Sequence, residues 1–152
     1  VMSPTGGETS AWNAELITDL GIWNRQMGLG KTFDSSGGFS LPNGAQRSPD
    51  VAWISIEKWD ALTSEEKRGF LPLCPDFVIE LLSPSDSWQQ GKEKMEEYIK
   101  NGSRLGWLIE PKNKRIAIYR VQQAVEIVED PDFLSGEDVL KGFNLNIAKL
   151  WQ

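Results

Sequence analysis

The first residue of this sequence that demands a chemical explanation is Glu80, a carboxylate inside Phe77-Val78-Ile79-Glu80-Leu81-Leu82, the most strongly apolar strand-like run of the chain. Taking an ionised group out of water is costly, so Glu80 must be paired, protonated or metal-bound. Its neighbours on the same strand face are Val78 and Leu82, which offer no partner. One solution is an ion pair with a Lys or Arg from another element. The other is a cation shared with a second acid, and Asp50 is placed for that role. It stands at the mouth of the other strongly apolar strand, Val51-Ala52-Trp53-Ile54-Ser55-Ile56, directly after Arg47-Ser48-Pro49. Two carboxylates brought together repel unless a cation lies between them. Mg²⁺ or Mn²⁺ suits oxygen ligands of this kind, and its usual task is to polarise a phosphoryl oxygen and lower the pKa of a bound water. Taken alone, Asp50 reads more readily as a turn residue following proline that caps a strand end.

Composition narrows the chemistry further. The chain has no histidine, which removes Ser-His-Asp and Cys-His catalysis and imidazole-based zinc sites. Its net charge of −6 argues against broad, nonspecific attachment to nucleic acid, while leaving room for a small basic cleft on an acidic body. A length of 152 residues suits one domain and one site. No apolar run approaches the roughly 20 residues of a membrane span. A single cysteine, Cys74, and the lack of a charged-then-apolar leader point to a soluble protein of the cytoplasm. The opening Val1 suggests that the natural chain begins earlier.

The elements that must position these acids are legible as patterns. Trp12, Leu16, Leu20, Trp23 and Met27 recur at helical spacing after a turn-like opening at Ser3-Pro4-Thr5-Gly6-Gly7, with Thr9 or Ser10 as the expected cap. Lys31 to Ser35 and Gly38 to Leu41 read as a short strand pair closed by Pro42-Asn43-Gly44. After the Asp50 strand comes a polar, helix-like segment from Glu57 to Arg68, with a capping signal at Thr63-Ser64-Glu65-Glu66. The Glu80 strand is followed by Ser83-Pro84-Ser85-Asp86-Ser87, then by a helix carrying Lys92, Lys94, Met95, Tyr98 and Ile99 that stops at Asn101-Gly102. Leu105 to Ile109 should then run parallel to the Glu80 strand, because a helix joins them. Arg115 to Arg120 alternates as a strand with one wetter face, and Ala124 to Val128 and a partly helical tail complete the chain. The seven tryptophans invite a reading as base-stacking platforms, yet Trp12, Trp23, Trp53 and Trp107 fall on core-facing positions.

In order and spacing, the segments MSPTGGET, GFSLPNG, SPDVAWIS, PDFVIELLSPSDS, KMEEYIKNGSRLGWLIEPKNKRIAIYR and VLKGFNLNI resemble the putative restriction endonuclease family, a domain-of-unknown-function family within the PD-(D/E)XK nuclease superfamily. The resemblance covers almost the whole chain. It implies an α/β fold, a restriction-endonuclease-like mixed central β-sheet flanked by helices, forming one domain over residues 1–152. It also implies an endonuclease acting on DNA with Mg²⁺ or Mn²⁺, working as a homodimer. Asp50 and Glu80 would hold the metal and Lys94 would assist the attacking water. In the superfamily pattern the lysine stands two residues after the glutamate, where this chain has Leu82, so the lysine is expected on the following helix. Lys94 fits because it lies one turn before Tyr98 on the inward side, whereas Lys92 points elsewhere. Glu8, Ser83 and Tyr98 are accessory candidates. Asp76, in a second Pro-Asp pair, would lie over about 10 Å from Glu80 in an extended strand, as a strand-start residue or a secondary ligand. The competing reading is a noncatalytic binding or assembly module that keeps the fold, favoured by the acidic balance and the missing strand lysine. A glycosidase carboxylate pair has no further support.

Overall fold

The computed structural model describes residues 6–152, so the Ser3-Pro4-Thr5 part of the expected opening turn lies outside the described residues. Helix α1 (Gly7–Met27) starts earlier than its capping signals suggest: Gly6 is its N-cap, without a side-chain bond, and Thr9 and Ser10 sit within the first turn. Thr9, Leu16, Leu20 and Trp23 form its buried stripe, while Met27 at the far end is exposed.

Six strands form the central sheet, in the order β1-β4-β5-β6-β7-β8. They are β1 (Gly30–Phe33), β4 (Val51–Ser55), β5 (Phe77–Leu81), β6 (Leu105–Glu110), β7 (Arg115–Arg120) and β8 (Glu126–Glu129). Only β5 and β6 are parallel, and helix α3 (Trp88–Asn101) is the crossover between them. Every other neighbouring pair is antiparallel. The expected pairing of the Lys31 segment with the Gly38 segment does not form. β1 instead joins β4, with Lys31 opposite Ile54. The Pro42-Asn43-Gly44 turn closes β2 (Phe39–Ser40) onto β3 (Gln46–Arg47), with Gly44 at φ 90°, a left-handed conformation that glycine tolerates.

The polar stretch after β4 is also shorter than its pattern implies. Helix α2 (Ile56–Asp60) ends after little more than one turn. The Thr63 signal does form reciprocal capping bonds, with the Thr63 N–H donating to Glu66 and the Glu66 N–H donating to Thr63 Oγ1. Those bonds start only a 3₁₀ turn at Glu66–Arg68, because this segment presents no buried stripe that would dock a longer helix.

Alternation along the strands divides the core into two layers. Val51, Trp53, Phe77, Ile79, Trp107 and Ile109 face α1 and the C-terminal segment, which includes β9 (Leu134–Ser135), β10 (Asn144–Leu145) and a 3₁₀ turn at Ile147–Trp151. Ala52, Ile54, Val78, Leu108 and Ala117 face Met95 and Tyr98 of α3. β7 therefore has no wet face at its centre: Ile116 and Ile118 enter one layer, Ala117 and Tyr119 the other. Helix α3 can lie this close to the sheet because Gly91 has no side chain; a Cβ there would sit 2.8 Å from Leu108 Cδ1. Trp23, Trp53 and Trp107 are core residues and Trp12 packs against the same layer. Among the described residues no helix is long and apolar enough to cross a membrane.

Candidate functional site

The antiparallel register of β4 and β5 builds the site. Val51 lies opposite Ile79 and Ala52 opposite Val78, so one step further brings Asp50 alongside Glu80. Asp50 is two residues before Ala52 and Glu80 two after Val78, which turns both toward the α3 layer. The Leu81 N–H donates to Asp50 Oδ2 at 2.7 Å, and the Asn13 side-chain amide of α1 donates to the Asp50 carbonyl at 3.5 Å. From above, the buried Tyr98 hydroxyl donates to Glu80 Oε2 at 2.8 Å. Lys94, one turn earlier on α3, places its Nζ 3.9 Å from the same oxygen.

These contacts leave the pair short of positive charge. Burial pushes the Glu80 carboxyl up to about 8, the Asp50 charge adds to the effect, and Lys94 and the Tyr98 hydroxyl oppose it. Burial also raises Asp50, against the Leu81 N–H and a hydrogen bond shared with Glu80. Tyr98 is raised as well, first by burial and then by the charge of Glu80, so it remains a donor. Near neutral pH the two acids thus hold a proton between them. Both line a cleft of about 790 Å³ together with Thr9, Ser83, Gln90 and Lys94.

A family model described as "Uma2: Putative restriction endonuclease" matches residues 1–148. The chain belongs to the Uma2 family. Its fold is similar to a solved structure from Anabaena variabilis, described as a putative nuclease belonging to DUF820, with a TM-score of 0.84 and 22% identity. The match covers 99% of this chain and 84% of that one. Among curated proteins none matches.

Within this Uma2 chain, the structure brings Asp50, Glu80, Lys94 and Tyr98 to one point, and Ser83 to the rim of the same cleft. The Ser83 N–H donates to Asp86 Oδ2 at 2.8 Å, which shapes the turn leading into α3. Glu8 is exposed and does not line the cleft; Thr9, the next residue, is buried and does. Sequence reasoning also passed over Ser48 and Gln90. Gln90 stands four residues before Lys94, and that spacing on one helix face was the available signal. Asp76 lies at the opposite end of β5, buried, where Lys58 Nζ at 2.6 Å, Arg104 Nε at 3.0 Å and the Ser55 N–H at 2.8 Å all donate to it. It is a strand-start residue in an ion pair and not a secondary ligand.

Asp50 and Glu80 fit a hard divalent cation. They are two adjacent oxygen donors with too little positive charge around them, open to a cleft. Mg²⁺ commonly takes only one or two carboxylates and completes its shell with water and phosphate oxygens. Among the described residues no group of three or more His, Cys, Asp and Glu side chains gathers, so a closed zinc-type site is not built here.

Proposed function

We propose that the cleft hydrolyses DNA phosphodiester bonds, with Mg²⁺ or Mn²⁺ held by Asp50 and Glu80. The observation that carries this reading is the β4–β5 register, which sets two buried carboxyls side by side at the floor of an open cleft with one lysine over them. A bound divalent cation would supply the charge that neutralises a phosphoryl oxygen and acidifies a water. The residues of the chain then divide the remaining work. The Leu81 N–H fixes Asp50, the Tyr98 hydroxyl fixes Glu80, and neither carboxyl needs to reorient when substrate arrives. Lys94, half exposed, reaches from the helix into the cleft, where its ammonium can steer the attacking water and offset charge building on the phosphate. Water adds to phosphorus as the bond to the leaving oxygen breaks, and the proton lost by the water is balanced by one delivered to that oxygen.

An acidic protein of net charge −6 repels DNA at long range, so contact is confined to a short stretch at the cleft. A homodimer is the proposed working form, since two copies related by a twofold axis can reach both strands of a duplex. The deciding assay is cleavage of a labelled DNA panel with and without Mg²⁺ or Mn²⁺, wild type beside Glu80→Gln. Metal-dependent cleavage lost in Glu80→Gln is the expected result. Inactivity of the wild type with every metal and substrate would favour an assembly module that keeps the nuclease fold.

A further inference from the structure

One charged group near the site has no part in the proposed hydrolysis. Glu97 follows Lys94 by three residues on α3, so the two are neighbours on the helix surface. Its carboxylate is a rival partner for the lysine, and it is a fully charged one: hydrogen bonds from Arg47 and Asn43 hold it below the ordinary carboxylate range. Glu80, by contrast, stands 3.9 Å from the Lys94 ammonium, beyond hydrogen-bond reach, and does not hold it in place. An unrestrained Glu97 would draw the ammonium away from the cleft.

Arg47 occupies that rival. Its Nε donates to Glu97 Oε1 at 2.6 Å and its Nη2 to Oε2 at 3.2 Å, a two-pronged geometry that uses both carboxylate oxygens. Asn43 Nδ2 adds a bond to Oε2 at 3.1 Å, and the Asn43 N–H donates to Asn101 Oδ1 at 3.0 Å. The β2–β3 hairpin, which leads directly into Asp50, is thereby fastened to α3 at Glu97 and Asn101, on either side of Tyr98.

We infer that Arg47 is a positioning residue: by sequestering Glu97 it leaves Lys94 directed at Glu80 and the cleft. The inference rests on the proposed role of Lys94, and its signature is rescue. Removing Arg47 alone exposes the competing carboxylate, whereas removing Arg47 and Glu97 together takes away both the restraint and the competitor. A purely structural ion pair would give no such recovery.

The test uses Arg47→Ala, Glu97→Gln, the double variant and Arg47→Lys, which keeps the charge in case Arg47→Ala folds poorly. The first readout needs no activity: the ¹³Cε signal of Lys94 in the metal-free protein, assigned by its loss in Lys94→Ala. It should shift in Arg47→Ala and return toward the wild-type position in the double variant, with Arg47→Lys between. The second readout is cleavage, where Arg47→Ala should lose about 2-fold in kcat, the size of a helix-surface pair, and the double variant should regain it. Mg²⁺ affinity, followed by thermal shift, should stay within about 2-fold of wild type, since two carboxylates and not Arg47 would hold the ion. An unmoved Lys94 signal in Arg47→Ala, or a double variant no better than Arg47→Ala, overturns the inference. If wild type cleaves nothing, the nuclease reading fails separately and the Lys94 signal alone decides.

Discussion

Strand β5 carries a buried carboxylate at each end, and the two are treated in opposite ways. Asp76, 1% exposed, receives a lysine, an arginine and a backbone N–H, all within 3.0 Å. Glu80, 6% exposed, faces another acid, with one tyrosine hydroxyl in contact and one lysine at 3.9 Å. Burial of a charge is tolerated only with compensation. At the Asp76 end compensation is complete and the cluster fastens β4, β5 and the start of β6 to one another. At the Glu80 end it is incomplete, and the deficit faces a cleft. Such a deficit is the environment that a cation or a substrate would complete, which is the physical content of the comparison.

The largest expected effect separates the two ends by activity. Glu80→Gln and Asp50→Asn should each lower metal-dependent DNA cleavage by about 10³-fold or more, about 4 kcal/mol of transition-state stabilisation. Asp76→Asn, measured below its unfolding temperature, should retain activity within a few-fold. Comparable losses from all three would erase the distinction between a functional and a structural end.

Stability should rank the ends in reverse. Asp76→Ala leaves Lys58 and Arg104 without their anion and the Ser55 N–H without an acceptor. Both cations are partly exposed and can turn to water, so the loss should be about 2–3 kcal/mol, below the usual figure for a broken buried pair, and about 5–10 °C in Tm. Asp50→Asn should cost less, because it removes a charge that was poorly compensated. Thermal denaturation of the metal-free proteins checks the order.

Lys94→Ala sharpens the comparison on the functional side alone. Its side chain is half exposed, so folding should be almost unaffected, while cleavage falls about 10- to 100-fold. Lys94→Arg should recover little, since a guanidinium has a different shape and spreads its charge over a plane. Equal activity in wild type and Lys94→Ala would remove the lysine from the reaction.

Much of this was readable before folding, for identifiable reasons. β4, β5 and β6 bury both faces and so appear as continuous apolar runs, and α3 shows Met95 and Tyr98 at helical spacing between a serine cap and a glycine stop. The partner of β1 was not readable, because strand pairing is decided by which edge is free, and the edge of β4 is supplied by a distant segment. The two Pro-Asp pairs look alike in sequence. What distinguishes them is the arrival of Lys58 and Arg104 at one and not the other, a consequence of α2 and the β6 entrance meeting at the same end of the sheet. Glu8, the accessory candidate of the first helix, is exposed for a reason of helix phase. With the helix starting at Gly7, the inward position of the first turn is Thr9.

The smallest effect, and the most diagnostic of the Glu80 deficit, is a pH dependence of stability. In the folded protein Glu80 keeps its proton up to about pH 8, whereas in the unfolded chain it loses it near the ordinary glutamate value. Between those two values the folded state binds more protons than the unfolded state, so stability falls as pH rises through the window and levels off above it. Asp50 is displaced in the same direction and reinforces the trend. Glu80→Gln keeps an oxygen that can accept from Tyr98 and has no proton to lose, so the difference in stability between the variant and wild type should grow in the variant's favour from pH 5 to pH 8. Mg²⁺ should cancel the gain, because a cation between the carboxyls stabilises their ionised forms and releases the shared proton. The measurement is a denaturant titration of both proteins at several pH values, with and without Mg²⁺. Parallel pH profiles for wild type and Glu80→Gln would show that Glu80 is as well compensated as Asp76, and the contrast between the two ends of β5 would no longer mark a site.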